Sequence, residues 1–315
     1  MSAWKGGSAL IRYILKRILI MVLTIFVILC LTFLIMHAIP GGPYSSGKRL
    51  PPEIQEAINE KYHLNDPLLK QFTDYLIRVI HFDLGPSFKY EGMSVNDLIA
   101  EGFPVSATLG LLSMAFTLII SIPLGIIAAL KHGKWQDTLI STVTIFGVTI
   151  PSFVVATLLD YFLAFRMRLF PIYGISEWKG YILPTIALSG YSMAFITRLT
   201  RSSLMEVMRS DYIRTARVKG LSERQVVMRH GLRNSLIPVI TVLGPTLAGL
   251  LMGSFVVEKI FALPGMGRFF VQSITNRDYT AIMGFTLFYA VVLIVLVFLV
   301  DILYCLLDPR IRLED

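Results

Sequence analysis

The sequence ILIMVLTIFVILCLTFLIM, residues 18–36, is an uninterrupted apolar run of membrane-spanning length. A helix of about 20 apolar residues crosses a hydrocarbon core roughly 30 Å thick. A secretory signal is the alternative, because Arg12, Lys16 and Arg17 precede the run. The run is longer than a usual signal core, and residues 37–40 (HAIP) lack a small-x-small cleavage pattern. We therefore expect a retained first span.

Further long apolar runs follow along the rest of the chain. Hydrophobic residues make up 55% of its 315 residues and charged residues only 16%, which indicates a protein dissolved in lipid. One charge-free stretch, residues 180–197, crosses the membrane fully only if its helix extends past Arg198. The sequence predicts an all-α membrane protein with six transmembrane helices, at residues 18–47, 103–130, 138–159, 180–197, 234–257 and 279–300, the stretches that lack Asp, Glu, Lys and Arg.

The distribution of Lys and Arg predicts the orientation. Short connections rich in these residues are retained on the cytoplasmic side. Threading six spans in order places the N-terminus, the connection with Lys131 and Lys134, the segment 198–233 and the C-terminus on one side. Both termini are therefore expected in the cytoplasm. The net charge of +8 could also indicate a nucleic acid partner. Because the basic residues concentrate in these short loops, we expect no nucleic acid partner.

The spans divide the chain into five regions. The long region 40–102 is expected outside the membrane and ordered, because residues 52–58 and 68–80 have the periodicity of amphipathic helices. The predicted order is a cytoplasmic N-terminus (1–17), a first span (18–39), an extracytoplasmic region (40–102), a core of five spans (103–305) with a cytoplasmic loop at about 205–233, and a cytoplasmic tail (306–315).

Templates for catalysis and metal binding are missing from the sequence. The lysines that follow a glycine, Lys48 and Lys134, precede Arg49 and Trp135, so no phosphate-binding G-x-x-x-x-G-K-[ST] loop is present. The histidines lack metal-ligand spacing. We expect no catalytic residue, no metal and no cofactor bound by this chain, and the sequence does not identify substrate-binding residues. Cys30 and Cys305 are expected at different depths and unpaired.

Few ionisable or irregular residues lie within the spans. Asp160 and Asp301 fall near span ends and indicate interfacial or structural roles, with proton coupling as the alternative. Gly249 and Gly253, four residues apart, predict a face for close helix packing. Prolines can kink the spans and are found at Pro123, Pro151, Pro238 and Pro245.

The segment between the fourth and fifth spans is the most informative one. Residues 211–219 predict a short helix, Gly220 suits its C-terminal cap, and Ser222 with Gln225 fits a capping box that opens another helix. A basic hairpin at the membrane surface and a DNA-recognition motif are both compatible with this pattern.

At this segment the chain resembles permease subunits of ABC importers. Their loop pattern is E-A-A-x-x-x-G, nine residues, then I-x-L-P, of which Ala216, Gly220 and Leu232 match. Residues 212–220 (YIRTARVKG) are similar to the variant of the oligopeptide and dipeptide branch. The resemblance continues along the chain at 40–43 (PGGP), 50–53 (LPPE), 61–67 (KYHLNDP), 85–90 (GPSFKY), 94–98 (SVNDL), 151–154 (PSFV), 263–267 (LPGMG), 276–279 (NRDY) and 308–311 (DPRI).

The resemblance implies a type I importer permease in a bacterial inner membrane. It implies a second, homologous permease, two ATPase subunits that carry ATP and Mg²⁺, and an extracytoplasmic peptide-binding protein. Nickel or another small solute is the alternative cargo. Rival functions are a secondary transporter and a membrane-anchored DNA-binding regulator. The loop residues implied to couple this chain to the ATPase are Arg214, Thr215, Ala216, Arg217, Gly220, Leu221 and Ser222.

Overall fold

In the computed structural model the chain is helical almost throughout. The structure describes residues 6–38, 56, 60, 65–175 and 177–307, with side chains described from residue 14 to residue 302. Most of the predicted helix at 52–58, residues 1–5, and residues 308–315 of the predicted C-terminal tail lie outside the described part. The side chain of Cys305 lies outside it as well, whereas Cys30 is a free thiol.

Apolar runs and local caps define the helices of the described residues. A π-helix, Asp160–Arg166, continues the α-helix that ends at Leu159, and a single 3₁₀ turn, Trp178–Tyr181, leads into the α-helix that begins at Ile182. The α-helices are α1 (Gly6–Ala38), α2 (Leu68–Ile80), α3 (Val95–Leu130), α4 (Trp135–Thr149), α5 (Ser152–Leu159), α6 (Ile182–Val207), α7 (Asp211–Val218), α8 (Glu223–Gln225), α9 (Leu232–Ser235), α10 (Ile237–Leu251), α11 (Phe255–Ile260), α12 (Met266–Asn276) and α13 (Tyr279–Leu307).

Five of the predicted spans are long apolar helical segments in the described chain. The fourth extends past Arg198, as the sequence required, and the first two begin earlier than the charge-free runs indicate. A charged residue near a helix end can remain in interfacial water, so a helix need not stop where its apolar run stops. The five candidate spans are Ile14–Ala38, Val95–Leu130, Trp178–Val207, Ile237–Ile260 and Tyr279–Ile302.

The third span, predicted at 138–159 with a proline that can kink it, is sharply bent. Helices Trp135–Thr149 and Ser152–Arg166 meet at an angle of 101°. Ile150 has φ −84° and ψ 121°, and Pro151 has φ −58° and ψ 141°, so two consecutive residues leave the helical conformation. Proline disfavours helical geometry in the residue before it, which explains why the kink became a break. Six spans result when this bent pair counts as one crossing.

The described residues form two compact units. The first draws on the described residues of Met1–Pro104 together with Gly265–Ile294, so a later segment of the chain returns to the N-terminal unit. In its core, α2 packs against the C-terminal half of α1 and the first turns of α13. The buried members are Leu29, Phe33, Met36, Tyr75, Tyr279, Ile282, Met283 and Leu287.

The second unit draws on Val105–Pro264 and Val295–Arg312. Close helix approach within it depends on Gly110 and Gly125, where an added Cβ would lie within 3 Å of Leu250 and Thr200 respectively. The close packing predicted for Gly249 and Gly253 is observed at Gly253 only. Gly253 follows α10 with φ +70°, and a Cβ built there would collide with Glu258 and lie 3.3 Å from Ser106 Oγ on α3. Among the described residues, nothing outside the local helix lies within 4 Å of a Cβ built at Gly249.

Candidate functional site

The basic segment between α6 and α10 folds as a compact helical hairpin, residues 208–235. Helix α7 begins after Ser210 and turns one apolar side inward. Ile213, Ala216 and Val226 are buried together there, with Met208 packed against them. The hairpin also contacts the end of α6, since a Cβ built at Gly231 would lie 3.4 Å from Leu204. The hairpin is therefore packed onto a span.

Gly220 forms the turn of the hairpin by a Schellman motif. Its φ is +81°, a conformation that side-chain-bearing residues rarely adopt. The Gly220 amide donates to the Arg217 carbonyl (2.9 Å) and the Leu221 amide donates to the Ala216 carbonyl (3.4 Å). These two bonds satisfy carbonyls that the end of α7 would leave unpaired. The predicted role of Gly220 as a helix terminator is confirmed.

Ser222 restarts the chain through the predicted capping box. Its hydroxyl accepts from the Gln225 amide (3.4 Å), while the Ser222 amide donates to Gln225 Oε1 (3.1 Å). The predicted second helix opens here and is α-helical only at its start. Only Glu223–Gln225 is α-helical before a π-helix, Val226–Gly231, leads into α9.

A salt bridge across the turn stiffens the hairpin. The Arg217 guanidinium donates to both carboxylate oxygens of Glu223, at 2.7 and 3.2 Å. Arg214 lies 3.7 Å from Asp211, and the Thr215 hydroxyl donates to the Asp211 carbonyl (3.0 Å). Exposed pairs contribute under about 1 kcal/mol each, so backbone capping dominates the shape of the turn. Arg217 therefore acts within the hairpin.

The outer side of the turn is apolar and open. Val218 is 88% exposed, and Leu221 and Met228 are also exposed. No atom lies within 4 Å of a Cβ built at Gly220. The predicted site residues 214–217 and 220–222 therefore lie on one turn and its flanks, and the exposed apolar side chains between and beside them provide a surface that another protein can contact.

A second polar cluster joins α4 to α6, and sequence reasoning missed it. Arg201 Nε and one terminal nitrogen donate to the two Asp137 carboxylate oxygens, at 2.6 and 2.9 Å. Asp137 also accepts from the Gly133 amide, and His132 Nδ1 lies 3.0 Å from the carboxylate. Asp137 is buried. It immediately precedes the apolar run 138–159, and an acidic residue in this otherwise basic connection was the available signal.

Two further buried carboxylates connect distant parts of the chain. In the first unit, Asp278 accepts from the Ser87 hydroxyl and from the Phe88 and Lys89 amides, which fixes the loop after α2. In the second unit, Glu258 accepts from the Ser106 hydroxyl at 2.8 Å. Both lie just outside the apolar runs, so counting charges within the runs did not detect them. Their contacts indicate structural roles.

The side chains described between residues 14 and 302 contain no group of three or more His, Cys, Asp or Glu that could hold a metal ion. Asp160 begins the π-helix that continues α5 and is partly buried. Asp301 lies near the end of α13 and is also partly buried.

Comparison with protein families identifies the chain. A family described as the binding-protein-dependent transport system inner membrane component matches residues 121–313, which includes the whole hairpin. The chain belongs to this family. The corresponding N-terminal family, the binding-protein-dependent transport system membrane component, matches residues 10–110. Family membership therefore extends from the first span to the end of the sixth.

Individual relatives align with this family member over nearly their whole length. The dipeptide transport system permease protein DppB of Bacillus subtilis is 48% identical over 303 residues, covering 96% of this chain and 98% of DppB. The oligopeptide transport system permease protein OppB of Escherichia coli K12 is 42% identical over 308 residues, covering 96% and 100%.

A solved structure supports the fold. The match is to a chain in a structure of the MetNI methionine ABC transporter in inward-facing conformations, with a TM-score of 0.52. It covers 67% of this chain and 96% of the MetNI chain, at 19% sequence identity. The type I importer fold predicted from the sequence is supported by this match.

Proposed function

We propose that this chain is the permease subunit of an ATP-binding-cassette importer for dipeptides or oligopeptides. The observation that carries the proposal is the 48% and 42% identity, over 96% of the chain, to permeases named for dipeptide and oligopeptide transport. Identity at this level along the entire set of spans supports a shared transport role more strongly than a local motif would. Nickel or another small solute is the alternative cargo.

The proposed working complex contains a second homologous permease, two ATPase subunits and an extracytoplasmic peptide-binding protein. ATP and Mg²⁺ bind to the ATPase subunits, and this chain contributes half of the pore. The membrane is the inner membrane of a bacterium. The region 40–102 contacts the binding protein outside the membrane, because a loop of this length is usually functional.

We further propose that the hairpin couples ATP hydrolysis to the spans. The Schellman turn, the capping box and the Arg217–Glu223 pair make it a stiff unit. Val218 and Leu221 enter a cleft of the ATPase, and motion of that cleft reaches α6 through Leu204. Shape contributes more than charge at such a contact, because exposed ion pairs are weak.

Uptake of labelled peptides tests the proposed function. Cells lacking this chain should lose uptake of labelled dipeptides and tripeptides, and a plasmid copy should restore it. The purified chain should retain an ATPase subunit, and an ATPase variant that cannot hydrolyse ATP should abolish uptake. Nickel uptake measured in the same cells distinguishes the alternative cargo. Peptide uptake that depends on a proton gradient without an ATPase would favour a secondary transporter, and retention of DNA would favour the regulator.

Labelling of single cysteines tests the proposed orientation. In a variant with Cys30 and Cys305 replaced, Arg224→Cys should resist an impermeant maleimide in intact cells and react after permeabilisation, since basic short loops stay in the cytoplasm. Glu91→Cys, on the exposed loop after α2, is the matched control and should react in intact cells. Rapid labelling at position 224 in sealed cells would contradict the proposed cytoplasmic location of this loop.

A further inference from the structure

Helix α2 carries two neighbouring apolar faces, and only one of them is packed. Phe72, Tyr75, Leu76 and Val79 contact the core of the first unit. At 100° per residue, Leu69, Thr73, Ile77 and Ile80 form the adjacent stripe. Leu69 is 75% exposed and Ile80 is 73% exposed. The polar residues Lys70, Asp74 and Arg78 occupy the remaining side.

The position of α2 beside α1 determines what surrounds the open stripe. The Phe72 ring lies 5.1 Å from the Phe33 ring and 6.4 Å from the Phe26 ring, and Phe26 is at the middle of the span Ile14–Ala38. Near the end of that span, His37 Nε2 lies 3.1 Å from Gln71 Oε1. Helix α2 is therefore at the depth of the leaflet in which α1 ends.

The C-terminal half of α1, against which α2 packs, also carries exposed apolar side chains. Only 11% of the most apolar part of α1 is buried, and Leu31, Leu34 and Ile35 in its C-terminal half are exposed. Little of this span is covered by the described part of the chain, so its exposed apolar side is available to lipid. The stripe on α2 continues this lipid-facing surface at the same depth, whereas Lys70 and Arg78 lie on the side that can reach headgroups and water.

Phe82 provides an independent observation at the end of α2. It adopts φ +59° in a Schellman motif, with its own amide donating to the Val79 carbonyl and the Asp83 amide donating to the Arg78 carbonyl. Asn96 fixes the turn by donating to the Phe82 carbonyl (2.8 Å). Glycine is the least strained residue here, and another residue costs roughly 1–2 kcal/mol. The ring is nevertheless 86% exposed.

We propose that α2 and Phe82 form an in-plane membrane anchor that inserts into the leaflet where α1 ends. Leu69, Ile77 and Ile80 enter the boundary between headgroups and acyl chains, and the Phe82 ring fixes the end of the helix there. Amphipathic helices bind lipid in this manner, with the apolar side roughly 5–10 Å below the headgroups. Burial of the ring in lipid offsets the strain of its backbone.

Spin-label accessibility in a lipid bilayer tests the anchor. The assembled transporter, lacking native cysteines in this chain, is placed in nanodiscs of phosphatidylcholine and phosphatidylglycerol with a nitroxide at Ile77→Cys, Ile80→Cys or Phe82→Cys. Each label should be at least threefold more accessible to oxygen than to a water-soluble nickel complex. Leu31→Cys on α1 is the lipid control, and Arg78→Cys on the polar side of α2 should show the opposite preference.

Two results would overturn the anchor. Greater access of nickel than oxygen at Ile80 and Phe82 would place the stripe in water, and exclusion of both reagents would mean that another protein covers it. Phe82→Gly guards against a folding artefact, because glycine keeps the turn. This variant should be at least as stable as the parent in detergent, because it relieves the backbone strain, and less stable in the bilayer, because it loses the ring. Equal stability of the two proteins in the bilayer would also contradict the proposal.

Discussion

Arg201→Ala should lower the apparent melting temperature of the transporter by about 5 °C or more. The substitution removes two hydrogen bonds from Asp137, whose side chain is only 7% exposed, and leaves that carboxylate with too few partners. Breaking a buried ion pair costs about 3–5 kcal/mol. Arg201 is 26% exposed, so solvent screens the pair and we expect a smaller cost, about 2 kcal/mol. A change of 1 kcal/mol corresponds to roughly 2–4 °C in a domain of this size.

Controls separate the ion pair from a general loss of charge. Arg198→Ala removes the same charge from an exposed position on α6 and should shift melting by under about 1 °C. The double variant Asp137→Leu with Arg201→Met should recover much of the lost stability, because two apolar side chains leave no unpaired charge. Heating at a fixed rate followed by size-exclusion chromatography measures each variant. Equal decreases in melting temperature for Arg201→Ala and Arg198→Ala would show that the Asp137–Arg201 pair does not stabilise the fold.

Local sequence chemistry predicted the elements that depend on neighbouring residues. Residues 68–80 were expected as an amphipathic helix, and α2 has these bounds. Gly220 and Ser222 were identified because a Schellman turn and a capping box each require a particular residue within a few positions. The spans were also predictable locally, from long apolar runs, because in lipid the backbone N–H and C=O groups must form their hydrogen bonds within one helix.

Features that depend on distant residues were not predictable in this way. Asp137 meets Arg201 64 positions later, and Ser87 meets Asp278 191 positions later. No periodicity or spacing connects such pairs, because only the fold brings them together. Pro151 predicted a kink in the third span and disfavours a helical Ile150, but the local rule gives no angle, so the 101° bend was not predicted.

Gly220→Trp should reduce peptide-stimulated ATPase activity about tenfold or more, or release the ATPase during purification. The residue has φ +81°, so any L-residue adds strain of about 1–2 kcal/mol. Apart from its chain neighbours, no described residue has an atom within 4 Å of a Cβ at this position, so folding and membrane insertion should be preserved. A bulky ring would instead fill the space proposed for the ATPase. Overpacking costs about 1–3 kcal/mol, and 1.4 kcal/mol is a tenfold change in affinity.

The chain offers a matched control at Gly133, in the connection between α3 and α4. Gly133 has φ +75° and likewise no atom within 4 Å of a built Cβ, so Gly133→Trp carries the same strain and bulk at another basic turn. It should retain the ATPase and its stimulation. Gly220→Asn, which tolerates the left-handed conformation with a small side chain, should retain most of the coupling. A hairpin that only sets topology through its charge predicts normal coupling in all three variants, since none changes an Arg or Lys. Normal ATPase retention and stimulation in Gly220→Trp, at equal expression, would therefore exclude the hairpin as the coupling element.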